Sequence, residues 1–416
     1  MTFRSLSFAL LAPILVGCGG SSVEFAPDDD SGVSGDVAPT DGSVDTRVDG
    51  ALDGATDVPV DSGPPDTFDP EKDKDGDGYK AKDDCNDDNP AVNPGAFEIP
   101  GDKIDNDCDG KVDNDEPECD KSDLKLDSKD PLDFAKALGL CRATTADALG
   151  KEKKWGVISA KLVAVDGAGT VDPRQHGLHG KFGAVITPRQ GKNLVALSTG
   201  TARTPTDVGF VQPRSPSLST PSSVPPPAGF PKNVAGCAAA TDTKANDSVA
   251  LELTLRVPTN AKSLRYDFDL FTSEYLSFVC STFHDQFVTL LDSAAPLDAK
   301  YAKNITFDSS GIPIGASQPA FLEVCKPGTS ATGGLVFPCS KGVKELEGTG
   351  FLEPASPAEN GSTSWLSTQA AVVPGETITI RFMIWDVSDH ILDSTVLLDN
   401  FRWDVGTVAT PVTARP

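Results

Sequence analysis

The two clearest strand patterns in the chain are Ser248-Val-Ala-Leu-Glu-Leu-Thr-Leu-Arg-Val257 and Glu376-Thr-Ile-Thr-Ile-Arg-Phe-Met-Ile-Trp385. Apolar and polar side chains alternate in both, and a period of two turns every second side chain toward a core. Similar signals predict strands at residues 155–165, 194–198, 264–271, 287–291 and 395–403, and a proline start predicts one short helix at 131–140. Many strands between proline- and glycine-rich turns predict an all-β fold, a jelly-roll-like β-sandwich over residues 120–405.

Two segments of this region are predicted to lie at the surface, and a tail follows the region. Residues 212–232 contain seven prolines and five serines, a composition typical of a long surface loop. Residues 406–416 are predicted to be a tail. The pattern His176-Gly-Leu-His179 is compatible with half of a zinc site, but two glycines and the lack of a nearby carboxylate favour a loop with two surface histidines.

The N-terminus has the pattern of a bacterial lipoprotein. Residues 1–18 combine Arg4, a short apolar segment and the lipobox Leu15-Val16-Gly17-Cys18. We therefore expect cleavage before Cys18 and a lipid anchor on that cysteine. An ordinary secretory signal that happens to end in cysteine is the alternative. Because Gly19 is not the aspartate that retains lipoproteins in the inner membrane, the prediction is a lipid-anchored protein of the bacterial outer membrane or cell surface.

Negative charge is concentrated near the N-terminus. Residues 19–72 contain 14 acids against two bases and residues 73–119 contain 16 against five, so these two segments carry −23 of the formal net charge of −25. The first segment lacks the apolar residues that a core needs and is predicted to be a disordered tether. The remaining chain is close to neutral, and this distribution argues against nucleic-acid binding.

The module at residues 73–119 repeats a 12-residue calcium-loop pattern, at 73–84 and 105–116. Gly78 and Gly110 stand at the sixth position, where the loop reverses. An acidic, solvated linker is the alternative. Prolines at 90, 94 and 100 argue against flanking helices, so we predict a small irregular module that folds with Ca²⁺. The second loop is expected to bind more tightly because it adds an acid at position 9 and has at position 12 a glutamate that can bind through both oxygens. The predicted ligands are Asp73, Asp75, Asp77, the Tyr79 carbonyl and Asp84, then Asp105, Asp107, Asp109, the Lys111 carbonyl, Asp113 and Glu116.

A resemblance covers about 45 residues of the same region. The segments Asp84-Cys85-Asn86-Asp87, Pro94-Gly95-Ala96, Glu98-Ile99 and Ile104-Asp-Asn-Asp-Cys-Asp-Gly110 resemble the metal-binding motif named after MopE, a copper-binding surface protein of methane-oxidising bacteria. Copper prefers imidazole, thiolate and thioether ligands, whereas the ligands here are hard carboxylates. The residues therefore favour calcium over copper.

The cysteine count predicts disulfides. Nine cysteines less Cys18 leave eight, an even number in an exported chain. A zinc site is the alternative, but the chain has no CxxC pattern. Eight cysteines allow 105 pairings, and proximity along the chain suggests Cys85–Cys108, Cys119–Cys141, Cys237–Cys280 and Cys325–Cys339.

A second resemblance covers nearly the whole predicted sandwich. The segments 271–287, 304–308, 384–389 and 392–401, which include Phe271-Thr-Ser-Glu-Tyr275 and Leu392-Asp-Ser-Thr-Val396, resemble the choice-of-anchor L domain. That family consists of bacterial surface proteins in which different anchors are attached to a shared extracellular domain. The resemblance implies surface display, with the lipobox as the anchor of this member. The family has no established activity to transfer.

Further candidate sites lie within the predicted sandwich. The acids Asp386, Asp389, Asp393 and Asp399 are compatible with a structural calcium site or with ordinary turn hydrogen bonding, and Glu274 and Asp285 are weaker candidates. The four tryptophans are compatible with a sugar-stacking platform, although Trp385 and Trp403 fit a core better. No catalytic residue is predicted, since no nucleophile-elbow pattern occurs. We therefore expect a non-enzymatic adhesion or recognition module with a glycan or protein ligand; a hydrolase on a sandwich fold is the alternative.

Overall fold

The structure is a computed structural model that describes residues 69–416, apart from 115, 117, 121–122, 215–217, 222, 241–243, 319, 328–330, 332–333 and 353–358. The predicted signal peptide, Cys18 and residues 19–68 of the predicted tether lie outside the described residues. The described part of the chain from residue 69 onward belongs to a single compact unit.

Antiparallel strands dominate this unit. Helix α1 spans Pro131–Ala137, and 3₁₀ helices span Gly150–Glu152, Ala299–Tyr301 and Lys344–Leu346. The strands are β1 Gly156–Val163, β2 His176–His179, β3 Leu194–Ser198, β4 Ser223–Val224, β5 Ala245–Arg256, β6 Ser263–Thr272, β7 Gln286–Asp292, β8 Gly361–Ser362, β9 Leu366–Ala371, β10 Thr377–Val387, β11 Ser394–Asp404 and β12 Val412–Ala414.

Two sheets form a sandwich, which confirms the predicted fold class. The first sheet has the order β1-β5-β10-β7, with β4 paired to the start of β5. The second has the order β12-β9-β6-β11-β3-β2, with β8 paired to the end of β6. Every named strand pair is antiparallel.

The main core lies between the two sheets. Leu251, Leu253 and Leu255 of β5 are fully buried and belong to the same apolar cluster as Phe268 of β6. Tyr266 of β6 meets Phe382 of β10 edge to face, with ring centroids 4.9 Å apart. The alternation seen in the sequence therefore reflects side chains that point into this layer.

The outer face of the first sheet is also covered, which corrects one prediction. The segment 212–232 is not purely a surface loop, because it contributes β4 and the buried Phe230. The Phe230 ring packs edge to face against Trp385 of β10 at 6.2 Å. This cover explains why β5 and β10 are buried along almost their entire length.

All seven predicted strands and the predicted helix are present, but five strands lack a recognisable sequence signal. Strand β2 reads His-Gly-Leu-His, β9 is rich in small and polar residues, and β4 and β8 have two residues each. Strand β12 lies in the segment predicted to be a tail and pairs with β9. Its pairing partner, rather than its own composition, determines its conformation.

The two histidines of β2 are buried, so the prediction of surface histidines is wrong. Each is 5% exposed. His176 meets Phe134 of α1 edge to face at 5.3 Å, and His179 Nε2 lies 3.1 Å from the carbonyl oxygen of Ala202. Burial lowers the pKa of both imidazoles to about 4.

This burial predicts a pH-dependent loss of stability. The unfolded chain binds a proton on His176 near pH 6.5, whereas the folded chain does so only near pH 4. Stability that is complete above pH 6.5 is therefore lost as the pH falls toward 4. His176→Gln should reduce the difference in unfolding free energy between pH 7.5 and pH 5 by about 1–2 kcal/mol. Urea denaturation at the two pH values measures this difference, and an unchanged difference would contradict the assignment.

Candidate metal centre

The acidic module packs on the turn between β5 and β6. The Thr259 amide donates to the carbonyl of Gly95 (3.0 Å), and Asn260 exchanges two hydrogen bonds with the backbone of Phe97 (3.0 and 2.8 Å). Tyr79 is 1% exposed, and its hydroxyl donates to the carbonyl oxygen of Lys153 just before β1. The sandwich therefore holds the module in a fixed orientation.

The carboxylates of the first loop converge. Oxygens of Asp73, Asp75 and Asp87 lie within 4.8 Å of one another, and so do oxygens of Asp75, Asp77 and Asp84. Asp75 belongs to both groups and joins them. Four of these five acids are predicted ligands; Asp87 was not predicted, because it lies beyond the 12-residue loop.

Backbone hydrogen bonds give the first loop its shape. The Asp73 carboxylate accepts from the amides of Gly76 (2.7 Å) and Gly78 (2.9 Å). Both glycines have positive φ, 81° and 95°, which favours glycine at these two positions. The Asp87 carboxylate accepts from the amide of Lys74 (2.9 Å) and brings a later residue back to the loop.

The first loop also contains buried carboxylate oxygens that accept no hydrogen bond. Asp75 Oδ2 and Asp84 Oδ2 are buried and have no hydrogen-bond partner among the described residues. Burial is the main cause that raises the pKa of both carboxyls and that raises the pKa of Asp77 to about 6, and neighbouring carboxylates add to it. A hard divalent cation would neutralise this cluster, so the residues fit a metal site.

The second loop is arranged differently. Oxygens of Glu98, Asp105 and Asp107 lie within 4.8 Å of one another. Glu98 Oε1 accepts from the amides of Asn106 (2.7 Å) and Asp107 (3.1 Å), and its Oε2 is buried without a partner among the described residues. Glu98 was not among the predicted ligands, because it precedes the 12-residue loop by seven residues.

An arginine already neutralises two of the acids predicted in the second loop. Arg142 pairs with Asp107 (2.6 Å) and with Glu116 (2.5 Å), and its guanidinium lies over the Trp155 ring at 5.1 Å. Burial raises the pKa of Glu116, and Arg142 opposes this shift. Arg142 therefore supplies part of the positive charge that a cation would supply to the second loop.

Two further predicted acids of the second loop accept hydrogen bonds from backbone amides. Asp113 Oδ1 accepts from the amide of Gly101 (2.8 Å), and Asp109 Oδ1 accepts from the amide of Lys111 (2.9 Å). Neither acid belongs to an oxygen group of the kind that Asp105 forms. Within the described residues, the structure therefore brings together only part of the predicted ligand set of this loop.

Two protein-family models match the chain, one in the acidic module and one in the sandwich. Residues 84–114 match the family described as "Putative metal-binding motif", the MopE type, and residues 181–402, more than half of the chain, match the choice-of-anchor L domain. The chain belongs to the choice-of-anchor L domain family. No curated protein and no solved structure matches it. The metal-binding match includes Asp84, Asp87 and Glu98 but begins after the other acids of the first loop.

Disulfides are consistent with a choice-of-anchor L protein outside the cytoplasm. The structure joins the four pairs that proximity suggested: Cys85–Cys108, Cys119–Cys141, Cys237–Cys280 and Cys325–Cys339. Such crosslinks persist in oxidising compartments. Of the helices in the described part of the chain, none has the length and apolar character needed to span a bilayer.

The acids predicted within the choice-of-anchor L domain separate into two places. Asp386, Asp389 and Asp393 lie in or next to the connection from β10 to β11. Asp399 lies in the middle of β11, where its carboxylate accepts from the amides of Arg189 (2.5 Å) and Asn400 (2.6 Å). Asp399 is therefore occupied by backbone donors and does not belong with the other three.

The first loop gives the sharpest test of cation binding. Asp75→Asn should weaken calcium binding at this loop at least tenfold, because Asp75 belongs to both oxygen groups and has an uncompensated oxygen. Calorimetric titration of the purified chain measures the affinity, which is expected at about 0.1–1 mM for an extracellular module. Asp88→Asn is the matched control, since Asp88 is exposed and pairs with Lys74 outside these groups. Equal loss in both variants would indicate a general charge effect instead of a site.

Proposed function

We propose that this protein is a calcium-stabilised, non-enzymatic recognition module, anchored by a lipid on Cys18 and displayed outside the cell. The observation that carries the proposal is the first-loop carboxylate cluster, which is fixed on the sandwich by Asn93. The Asn93 amide donates to Asp77 Oδ2 (2.7 Å), while its side-chain oxygen accepts from the hydroxyl of Thr259 (2.7 Å). A cation in this loop would stabilise the junction between the module and the sandwich, which is a structural role.

Calcium is the proposed ion because of the ligand chemistry. The first-loop groups offer carboxylate oxygens only, and six to eight hard oxygens are the ligands that Ca²⁺ prefers. The chain contains four histidines and two methionines, and none lies between residues 73 and 119. The cysteines of this segment are joined in disulfides, so they offer no thiolate to a copper ion.

A groove on the second sheet is the proposed recognition site. It has a volume of about 650 Å³ and lies beside β12 and the Cys237–Cys280 disulfide. Phe307 and Phe321 contribute aromatic surface, and Asp308 and Ser309 contribute polar groups. Apolar faces with a few polar groups suit a sugar ring. The tryptophans take no part in this groove: Trp155, Trp385 and Trp403 are buried, and none of the four lines it.

Glycan binding at this groove is testable with a blocking substitution. Ser309→Arg should reduce binding to an array glycan at least tenfold, because the long side chain would occupy the groove. Ser310→Arg is the matched control, since Ser310 is adjacent and exposed but does not line the groove. A broad hydrolase panel on the same purified protein addresses the alternative function. Turnover of any substrate would contradict a purely binding role, and equal binding by both variants would place the ligand elsewhere.

The proposed lipid anchor has a separate test. Cys18→Ala should leave the protein either unprocessed or outside the membrane fraction, because the lipobox residues Leu15-Val16-Gly17-Cys18 would no longer provide an acyl acceptor. Ser21→Ala serves as the control and should remain in the membrane fraction. Mass spectrometry of the mature N-terminus decides the question, since an unmodified N-terminus at another residue would refute lipidation.

A further inference from the structure

Four buried carboxylates meet at one end of the sandwich, each next to a strand terminus. Glu274 follows β6 by two residues, Asp285 immediately precedes β7, Asp386 is the second-last residue of β10, and Asp393 immediately precedes β11. Strand pairing aligns them, since Ser394 lies opposite Thr272 and Trp385 lies opposite Gln286. Each sheet therefore contributes two carboxylates to the same end of the core.

Six of the eight oxygens of these carboxylates lack a hydrogen-bond partner within the described residues. Their exposed fractions are 1% for Glu274, 3% for Asp285, 0% for Asp386 and 2% for Asp393. Among the described residues, both oxygens of Asp386 and Asp393 and one oxygen each of Asp285 and Glu274 have no hydrogen-bond partner. An ionised carboxylate buried without a donor or a counter-charge destabilises the folded state.

Nearby cationic groups are already paired with other acids. The charge of Arg214 acts on Glu274, but its guanidinium bonds to Glu359 (2.9 Å). His390 Nδ1 lies 2.6 Å from Asp247 Oδ2. Asp389, at the rim of the same end, adds further negative charge near Glu274 and Asp285.

Other buried acids of the same sandwich have donors for at least one carboxylate oxygen. Asp120 accepts from two backbone amides and the Asn193 side chain, and Asp269 accepts from the hydroxyls of Ser362 and Thr363. Asp267 pairs with Arg189 (2.6 Å). Asp386 and Asp393 differ from them, since they are the carboxylates in the described part of the chain for which both oxygens are buried without a hydrogen-bond partner. Burial and mutual repulsion raise the pKa of Asp285 to about 8 and the pKa of the other three carboxyls well above the usual range.

The backbone around the cluster leaves space for the carboxylates. A Cβ atom on Gly200 would collide with the carboxylate of Asp393. The Thr199 amide donates to the carbonyl of Ser394 (3.0 Å), and the Ser394 amide donates to the Thr199 hydroxyl (2.9 Å). The start of β11 is therefore held firmly, and the residue after Thr199 must be small for Asp393 to point inward.

We propose that a calcium ion binds among Glu274, Asp285, Asp386 and Asp393 and links the two sheets at this end. All candidate ligands are hard oxygens, and calcium tolerates irregular shells of six to eight ligands, whereas Mg²⁺ requires a near-ideal octahedron. No three of these four residues offer oxygens that all lie within 4.8 Å of one another, and ligands at a Ca–O distance of about 2.3–2.6 Å span at most about 5 Å, so binding requires the side chains to draw together around the ion. The alternative is a cluster of protonated carboxyls without a metal.

The proposal is independent of the first-loop site and is tested on the purified full-length chain. Equilibrium dialysis should show that Asp386→Asn loses one bound calcium ion per chain, while Asp75→Asn loses a different one and the double variant loses both. In the Asp75→Asn background, calcium should still raise the melting temperature, and Asp386→Asn should abolish that rise. Asp292→Asn is the control, since Asp292 is exposed and pairs with Lys303.

The outcomes distinguish a calcium site from a cluster of protonated carboxyls. If Asp386→Asn raises the melting temperature without calcium and leaves the bound calcium unchanged, the cluster is only protonated and the proposal is wrong. Should Asp386→Asn fail to fold, Asp393→Asn provides the same comparison from the opposite sheet. Loss of all calcium binding in Asp75→Asn alone would also refute the second site, whereas loss confined to Asp386→Asn would leave the second site standing and count against the first-loop site.

Discussion

The pairing of β5 with β10 is the constraint on which the rest of the structure depends. Ten residue pairs connect the two strands, from Arg256 opposite Thr377 to Ala245 opposite Val387. A register shift of one residue would turn the leucines of β5 away from the core. The same register fixes both ends of the pair: the β5–β6 turn holds the acidic module at one end, and Asp386 lies at the other. At about 3.4 Å per residue, these ends are roughly 35 Å apart.

The molecule neutralises buried acids in several ways, and the differences indicate which acids a cation would stabilise. Asp120 uses amide donors, Asp269 uses hydroxyls, and Asp107 uses the guanidinium of Arg142. The first loop has amide donors for its outer oxygens but not for Asp75 Oδ2. The orphaned oxygens of Asp386 represent the extreme case. The need for a metal therefore follows from the missing donors and not from the number of acids alone.

Local sequence patterns predicted the elements whose own residues determine them. The alternation in β5 and β10 and the calcium-loop spacing of the first loop are local properties, and both correspond to structure. Contacts between distant parts of the chain could not be predicted from local patterns. Strand β12 forms by pairing with β9. Glu98 reaches the second loop from outside it, and Arg142 provides positive charge there. Asp399 was grouped with Asp386 by sequence proximity, although a strand separates positions that are near in sequence by many ångströms.

The proposed calcium sites and the disulfides would contribute in different conditions. A site with a dissociation constant of about 0.1–1 mM stabilises the folded state by roughly 0.4–1.4 kcal/mol at about 1 mM calcium, which is less than the typical 2–4 kcal/mol of a disulfide. The disulfides therefore supply stability that does not vary with the calcium concentration, and Cys85–Cys108 does so within the acidic module itself. Calcium at the proposed sites would supply a smaller amount of stability, which would depend on the calcium concentration outside the cell. Because that amount acts where like charges meet, its main effect is to order the two ends of the β5–β10 pair and not to hold the core.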